Sequence, residues 1–301
     1  MAAKRVALAA IVENLDALFE IRTFPPDQPF APWFAPTYGD SVGRLQDHFE
    51  PTFLQSGNGL MVRGSDAVEE INTVVFINDE VIDKALSRPS AAQLLLSHHP
   101  LDFETSDRGF LPLSRDRVEA LKPRISIYSL HNPLDVHARI STGLAWARQL
   151  ALREVEYFLE GEAGRPHAVR GQLPGQATLA TLLERISGIS GVPDLHWVPR
   201  RQEISSVAIL AGGAVPDSIV DAQRAGVDAI ITGTYHNQCN NEFGVAQRDE
   251  FTRVEPSLTA SVIECSHYAS EALVMRYDLL EYAHTAFGLP GEFIPQNDPW
   301  H

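Results

Sequence analysis

Two adjacent histidines, His98 and His99, follow the apolar run at residues 93–96. Two imidazoles at the end of a hydrophobic strand need partners, because a buried polar group without one is costly. Metal binding would supply such partners, since neutral imidazole is the commonest protein ligand of metals. Alternatively, because a strand alternates its faces, one ring points to the core and bonds a backbone carbonyl while the other points to water. The pair alone leaves both interpretations open.

Side chains of similar chemistry follow other apolar segments. Asp135 follows the strand predicted at residues 124–130, and His267 and Glu271 follow the apolar segment 258–264. Sites in α/β sheets form outside the carboxyl ends of strands, so these side chains are expected to converge with the histidine pair. The four-residue spacing of His267 and Glu271 puts both on one face of a helix. His131 has the same spacing to Asp135, but the intervening proline argues against a helix there and predicts a loop.

The three imidazoles of His98, His99 and His267 and the two carboxylates of Asp135 and Glu271 exceed what one tetrahedral ion needs. They are too few to fill the coordination spheres of two ions unless carboxylates bridge the ions and water completes the coordination. The count therefore indicates a two-metal site with open positions, as in catalytic centres. Nitrogen and oxygen ligands suit divalent Zn, Fe, Mn, Co or Ni and do not choose among them. The alternative of scattered surface or core histidines stays open at this point.

Composition limits the class of protein. The chain has 301 residues, is 44% hydrophobic and carries a formal net charge of −15. The length predicts one large or two ordinary domains, and the acidity argues against binding to duplex nucleic acid. The sequence has no apolar run of a membrane span's length and no signal-peptide pattern, and Cys239 and Cys265 form no disulfide framework. We therefore expect a cytoplasmic protein.

Predicted strands alternate with predicted helices along the chain, which indicates an α/β fold. Residues 24–36 combine prolines and aromatic side chains, which excludes regular structure and predicts a loop packed on a surface or a neighbouring subunit. Residues 292–299 have the pattern of a terminal edge strand.

Several stretches together resemble the Nif-three-like family, also known as GTP cyclohydrolase 1 type 2 homologues. They are Leu95-Leu96-Ser97-His98-His99-Pro100-Leu101, His131-Asn132-Pro133-Leu134-Asp135, Gly226-Val227-Asp228, Ile230-Ile231-Thr232-Gly233, His267-Tyr268-Ala269-Ser270-Glu271 and Phe293-Ile294-Pro295. The resemblance covers the chain from about Gly57 to its end.

The resemblance implies two interleaved α/β domains with mixed sheets flanked by helices. One domain would comprise residues 1–135 plus 258–301, and the other residues 136–257. It implies a site for two divalent metal ions per chain, with Glu271 as the bridging carboxylate and His131 as an outer or occasional ligand. The implied ligands are His98, His99, Asp135, His267 and Glu271. The family also implies a ring-like homohexamer with its sites facing an internal cavity.

The chain departs from the family in two places. The usual Trp-Asp-Asn-Val-Gly-Leu start is reduced to Ser56-Gly57-Asn58-Gly59-Leu60. The larger middle domain of some relatives is absent, because the distance from Asp135 to His267 leaves room only for an ordinary second domain. The first departure bears on the rim of the site and on subunit contacts.

Other residues have a functional and a structural interpretation. His236 either lines the same cavity or lies on the surface. Gly212 and Gly213 could offer amides to a phosphate, but a tight turn is favoured because no dinucleotide or Walker motif accompanies them. Arg165 and Arg170 either contact an anionic ligand or are solvated, and Cys265 is interpreted as a small core residue.

Two functional hypotheses follow. The first is a metal-dependent hydrolase, of cyclohydrolase type by resemblance, that acts on a nucleotide-like or phosphorylated small molecule. His131 and His236 are its candidate proton-transferring residues. The second is a non-catalytic, hexameric metal-binding scaffold or metal carrier that interacts with other proteins.

Overall fold

The computed structural model describes residues 4–26, 45–100, 114–161, 164–235 and 242–298. Its strands are β1 Val6–Ala7, β2 Gly59–Val62, β3 Ala67–Val68, β4 Glu70–Val74, β5 Gln93–Ser97, β6 Ile125–Ser129, β7 Arg153–Glu160, β8 Pro166–Thr178, β9 His196–Val198, β10 Glu203–Gly213, β11 Ala229–Thr234 and β12 Ser261–Glu264. Its α-helices are α1 Leu8–Leu18, α2 Pro51–Ser56, α3 Asp79–Ser87, α4 Arg115–Leu121, α5 Asn132–Asp135, α6 Thr142–Gln149, α7 Leu179–Ser190, α8 Pro216–Arg224, α9 Glu242–Val254, α10 His267–Leu273 and α11 Leu280–Phe287. Among these described helices, none combines the length and the apolar character that crossing a membrane requires.

The chain forms two compact units. Within the described residues, the first unit comprises 4–26, 45–100, 114–137 and 275–297, and the second comprises 138–161, 164–235, 242–274 and 298. The family resemblance grouped β12 and α10 with the N-terminal residues. In the structure they belong to the second unit, because β12 pairs in parallel with β11 of that unit.

The main sheet of the first unit has the strand order β2-β6-β5-β4. β5 runs parallel to β4 and to β6, whereas β2 is antiparallel to β6. Every residue of β4, β5 and β6 is buried. This is the pattern of parallel strands covered on both faces, and it explains the apolar run that precedes the histidine pair.

Two helices of the first unit begin at side-chain caps. The Asn78 side chain accepts a hydrogen bond from Val81 N at 2.9 Å, and Ser114 Oγ accepts one from Arg117 N at 3.3 Å. Such caps satisfy backbone donors that a helix leaves unpaired at its start. The buried faces of α3 and α4 pack with β5 and β6 in one hydrophobic core.

The C-terminal tail lies along β4 at the edge of this sheet. Thr73 N donates to Glu292 O at 3.0 Å, and Ile294 N donates to Thr73 O at 2.9 Å. The sequence predicts an edge strand here, and the structure confirms the edge position, although the described residues of the tail form one isolated β-bridge, between Thr73 and Phe293, and no continuous strand. Gly291 allows the approach, because a Cβ there would lie 2.6 Å from the Ile71 carbonyl carbon.

The sheet of the second unit has the strand order β7-β8-β10-β11-β12-β9. β10, β11 and β12 are parallel, whereas β8 and β9 pair antiparallel with β10 and β12 respectively. Buried aliphatic side chains of β10, β11 and β12 pack with α8 in a second hydrophobic core. Both units are therefore α/β with mixed sheets flanked by helices, which confirms the predicted class.

Asp228 fixes the start of β11 against β10. Its Oδ2 accepts from Ser205 N at 2.9 Å, from Ser206 N at 3.0 Å and from Ser206 Oγ at 3.1 Å. Burial acts to raise the pKa of Asp228, but these hydrogen bonds and the charge on Arg201 outweigh it and hold the pKa below its ordinary value. The carboxylate form is therefore the one that holds the two strands together.

Most of the predicted proline- and aromatic-rich loop, residues 27–36, lies outside the described residues. Phe24, at its start, is buried.

Candidate metal centre

The histidine pair follows β5 in the middle of the first unit's sheet. His98 N donates to Val74 O at 3.2 Å and His99 N donates to Val75 O at 2.8 Å, so the chain continues beside β4 past the end of β5. The exposed fractions of the two histidines are 0% and 2%. The interpretation that leaves one imidazole in water is therefore wrong.

Each ring of the pair is held by a specific contact. His98 Nδ1 lies 2.8 Å from Leu130 O, so Nδ1 carries the proton and Nε2 presents its lone pair. His98 Nε2 faces Asp135 Oδ1 at 3.7 Å. His99 stacks on Phe76, with ring centroids 4.4 Å apart and an interplanar angle of 16°. A carbonyl that fixes the tautomer is typical of metal-ligating histidines, although a core histidine also uses it.

A short helix, instead of the predicted loop, presents His131 and Asp135: His131 is its N-cap residue and Asp135 its last residue. α5 contains Pro133 in its first turn, where a proline is tolerated because its missing N–H has no intrahelical partner to lose. Leu134 N and Asp135 N donate to His131 O at 2.9 and 3.3 Å. The loop prediction is wrong because it treated this proline as a helix breaker regardless of position.

Three imidazoles of the first unit, those of His98, His99 and His131, form one cluster. Ring centroids are 4.5 Å apart for His98 and His99, 5.3 Å for His98 and His131, and 4.7 Å for His99 and His131. One ligand nitrogen from each ring lies within 4.8 Å of the other two. With a carboxylate beside them, these donors fit a divalent cation of borderline softness. We name His98, His99 and His131, together with Asp135, the histidine cluster.

The second unit holds the other two predicted ligands. His267 begins α10, and its Nε2 lies 3.1 Å from Glu271 Oε1 one turn later. The predicted helical face is thus formed. Glu271 is buried, with an exposed fraction of 3%. This nitrogen and oxygen pair is again of the type that binds transition metals.

The α10 helix lies close to glycine backbone. Gly212 has a φ of +75°, and a Cβ there would lie 2.5 Å from Glu271 Oε1. Gly212 N donates to Ser270 Oγ at 2.8 Å, and Ser270 Oγ donates to His267 O at 2.8 Å. The Gly212 amide is thus bonded within the protein. The tight-turn interpretation of Gly212 and Gly213 is wrong, because both glycines belong to the end of β10, where its register against β11 shifts.

Two residues of these regions were missed at the sequence level. Asn58 Oδ1 accepts the His131 N–H at 2.7 Å. Glu264 is buried and accepts from Thr234 Oγ1 at 3.1 Å and Tyr235 N at 2.7 Å. For Glu264 a signal existed, since an acidic residue closes an apolar run. For Asn58 the retained asparagine of the shortened Ser56–Leu60 motif was the only pointer.

The remaining candidates have ordinary roles or lie outside the described residues. Cys265 is buried, and burial with the charges of Glu264 and Asp298 raises the pKa of its thiol well above the usual range. It is the predicted core residue. Arg170 Nε donates to Glu156 Oε1 at 2.6 Å. The candidate His236 falls in residues 236–241, which lie outside the described residues.

Sequence comparison identifies relatives over most of the chain. The family model described as Duf34/NIF3 (NGG1p interacting factor 3) matches residues 44–299. A GTP cyclohydrolase 1 type 2 homolog of Deinococcus radiodurans is 27% identical over 243 residues, which cover 79% of this chain and 84% of the relative. Another protein of that name, from Pyrococcus horikoshii, is 28% identical over 248 residues, covering 80% and 89%.

Solved structures share the fold. The protein ybgI, of unknown function, superposes with a TM-score of 0.71 at 20% identity, covering 98% of this chain and 100% of its own. A protein of Thermus thermophilus superposes with a TM-score of 0.65 at 21% identity, covering 97% and 99%. At these identities the likeness concerns the fold alone, and it confirms the predicted fold type.

Proposed function

The chain belongs to the Duf34/NIF3 family, and from that premise we propose that it is a metal-binding protein whose histidine cluster holds a divalent cation. The observation that carries the proposal is the grouping of three imidazole nitrogens within 4.8 Å, two of them on fully buried rings. Neutral imidazole is the commonest protein ligand of metals, so three ring nitrogens gathered in this way suit a divalent cation.

The protein's own side chains prepare this cluster for an ion. Leu130 O fixes the tautomer of His98, Phe76 fixes the plane of His99, and Asp135 adds a negative charge 3.7 Å from His98 Nε2. Rigid ligands with fixed orientation lower the cost of assembling a metal site. A bound divalent cation would supply Lewis-acid chemistry there.

The finer proposal adds the second unit's pair and a reaction. We propose that His267 and Glu271 also ligate metal, so that each chain carries two ions, and that the protein is a hydrolase. Its substrate would be a nucleotide-like or phosphorylated small molecule, as the name of the relatives, GTP cyclohydrolase 1 type 2 homolog, suggests. His131 would move protons, because its imidazole is the least buried of the three in the histidine cluster.

A second candidate function is a non-catalytic metal carrier or scaffold. The family's description as an interacting factor favours it, since that description names a protein partner instead of a reaction. Both candidates include the homohexamer implied by the family resemblance. A native mass near six times the 33.2 kDa of one chain, measured by light scattering, would support that assembly.

Metal content tests the proposal directly. Untagged protein purified without chelator is analysed for transition metals, alongside His98→Ala, Glu271→Ala and the control His196→Ala, an exposed histidine. We expect about two ions per chain in wild type and in the control, with loss of at least one ion in each of the other variants. Absence of metal from wild type even after loading with Zn²⁺ or Mn²⁺ would overturn the proposal.

Turnover separates the two candidate functions. Metal-loaded wild type is screened against nucleotides and phosphoesters, with an Asp135→Ala, Glu271→Ala double variant as the background. Hydrolysis above that background supports the enzyme. Retained metal without turnover over the whole screen supports the carrier or scaffold.

A further inference from the structure

Asn58 lies in a tight turn between α2 and β2. Its neighbours Gly57 and Gly59 have φ values of +71° and +94°, a backbone conformation that glycine adopts without strain. Ser56 Oγ accepts from Asn58 N at 3.2 Å and donates to Asn58 O at 2.7 Å. Asn58 itself is buried, with an exposed fraction of 3%. The turn therefore directs the Asn58 amide into the first unit.

The Asn58 side chain holds the main chain of the histidine cluster. Its Oδ1 accepts the His131 backbone N–H at 2.7 Å. His131 is the N-cap residue of α5 and forms no side-chain cap of its own. His131 O in turn accepts the N–H groups of Leu134 and Asp135. One hydrogen bond thus fixes the residue that bears one imidazole of the cluster and that precedes the helix bearing its carboxylate, Asp135.

We propose that Asn58 is a positioning residue of the metal centre. The inference rests on the proposed function, because it assigns a role within the same site. The bond uses the backbone N–H of His131, so the imidazole of that residue still faces His98 and His99. The required feature is an acceptor oxygen at residue 58, which an aspartate also supplies.

A second buried asparagine of the same unit provides a matched control. Asn72 is fully buried, and its Oδ1 accepts the backbone N–H of Glu292 at 3.0 Å. Asn58→Ala and Asn72→Ala each remove one acceptor oxygen from one partly buried hydrogen bond to a backbone N–H. Their structural costs should therefore be similar, whereas Asn58 alone bonds the histidine cluster.

The experiment measures Zn²⁺ affinity by competition with a chromogenic chelator, and hydrogen exchange of the His131 amide in metal-free protein. We expect Asn58→Ala to weaken Zn²⁺ binding about 10- to 100-fold, the usual effect of losing a partner that orients ligands. It should also speed exchange at His131. Asn72→Ala should leave Zn²⁺ affinity within about twofold of wild type, and Asn58→Asp should restore it, since the acceptor is kept.

The outcomes separate this inference from the proposed function. Equal Zn²⁺ affinity in wild type, Asn58→Ala and Asn72→Ala would overturn the positioning role and leave the metal centre standing. An equal loss in both alanine variants would also overturn it, because a general loss of stability would then explain the effect. No Zn²⁺ binding in wild type would overturn both proposals.

Discussion

The two units position their metal-type side chains by different means. The histidine cluster of the first unit is collected from chain segments that follow β5 and β6, and it is held by hydrogen bonds that Leu130 O and Asn58 Oδ1 accept. His267 and Glu271 of the second unit lie on one helix, whose own geometry sets their spacing. The surrounding protein contacts this helix closely through the backbone of two glycines, Gly212 and Gly233.

This difference predicts different sensitivities. The histidine cluster should be sensitive to the loss of a hydrogen-bond acceptor, because its members reach the site from separate segments. The helix-borne pair should be sensitive to added volume, because close contact with glycine backbone holds α10 in place. Substitutions that add one methyl group, or remove one polar group, can therefore break or sharpen the comparison.

The largest effect is expected from Gly233→Ala. A Cβ at Gly233 would clash with Gly212 O, and it would lie 2.5 Å from Ser270 Oγ and 2.8 Å from His267 Cα. Because two of these three atoms belong to the backbone, relief requires a shift of α10 or β10. We expect a loss of about 3 kcal/mol or more in the free energy of unfolding, measured by urea denaturation of metal-free protein.

Gly188→Ala is the matched control, in the same unit. Nothing lies within 4 Å of a Cβ at Gly188, which is inside α7. Alanine there should raise the free energy of unfolding by about 0.5–1 kcal/mol, because glycine is the poorer helix former. If Gly233→Ala were as mild as this control, close packing would not be what holds α10.

The structural features that can be predicted from the sequence are those that depend on residues close together along the chain. The apolar run before His98 predicts a buried strand, and the four-residue spacing of His267 and Glu271 predicts their shared helical face. The α5 helix was missed because the rule that proline breaks helices was applied without regard to position. The convergence of imidazoles at the ends of β5 and β6 could be anticipated, since parallel strands end at one edge of a sheet.

Contacts between distant residues were not predictable in this way. Asn58 and His131 are 73 positions apart, and Gly212 meets a side chain 59 positions later. Neither partner carries a local signal for the other, since an asparagine between glycines first indicates a turn. The glycine pair at residues 212–213 likewise gave only a turn. Its requirement for glycine arises from the approach of α10, which depends on the packing of the whole unit.

A smaller effect is expected at Ser266, where one substitution should raise the free energy of unfolding and another should lower it. This residue precedes α10 with a φ of +76° and ψ of 136°, a region that glycine favours. Its Oγ accepts from Ala269 N at 3.2 Å and caps the helix. Ser266→Gly should raise the free energy of unfolding by about 1 kcal/mol, because relief of strain outweighs a cap that glycine replaces at small cost.

Ser266→Ala separates these two contributions. Alanine keeps the strained backbone and loses the cap, so it should lower the free energy of unfolding by about 1 kcal/mol. Urea denaturation of both variants in chelator measures the difference. If both substitutions shifted the free energy of unfolding in the same direction, relief of backbone strain at residue 266 would not be the main effect of Ser266→Gly.

An effect of similar size is expected at Asp228 in the second unit, whose carboxylate accepts the hydrogen bonds that join the start of β11 to β10. The pKa of this carboxyl is lowered in the folded state. Its whole contribution to the free energy of unfolding is therefore present above the pKa of aspartate in the unfolded chain, near 4. It is lost as the pH falls through the lower pKa of the folded state. Asp228→Asn should therefore lower the free energy of unfolding by about 1 kcal/mol at pH 7, where a charged acceptor becomes a neutral one.

The pH dependence distinguishes a carboxylate that accepts several hydrogen bonds from an ordinary surface charge. The difference between wild type and Asp228→Asn, followed by urea denaturation from pH 7 to pH 3, should shrink as the pH falls below about 4. Asp221, which pairs with Arg224 on the exposed face of α8, is the control, and Asp221→Asn should cost under about 0.5 kcal/mol. A pH-independent difference at Asp228 would mean that its hydrogen bonds do not require the charge.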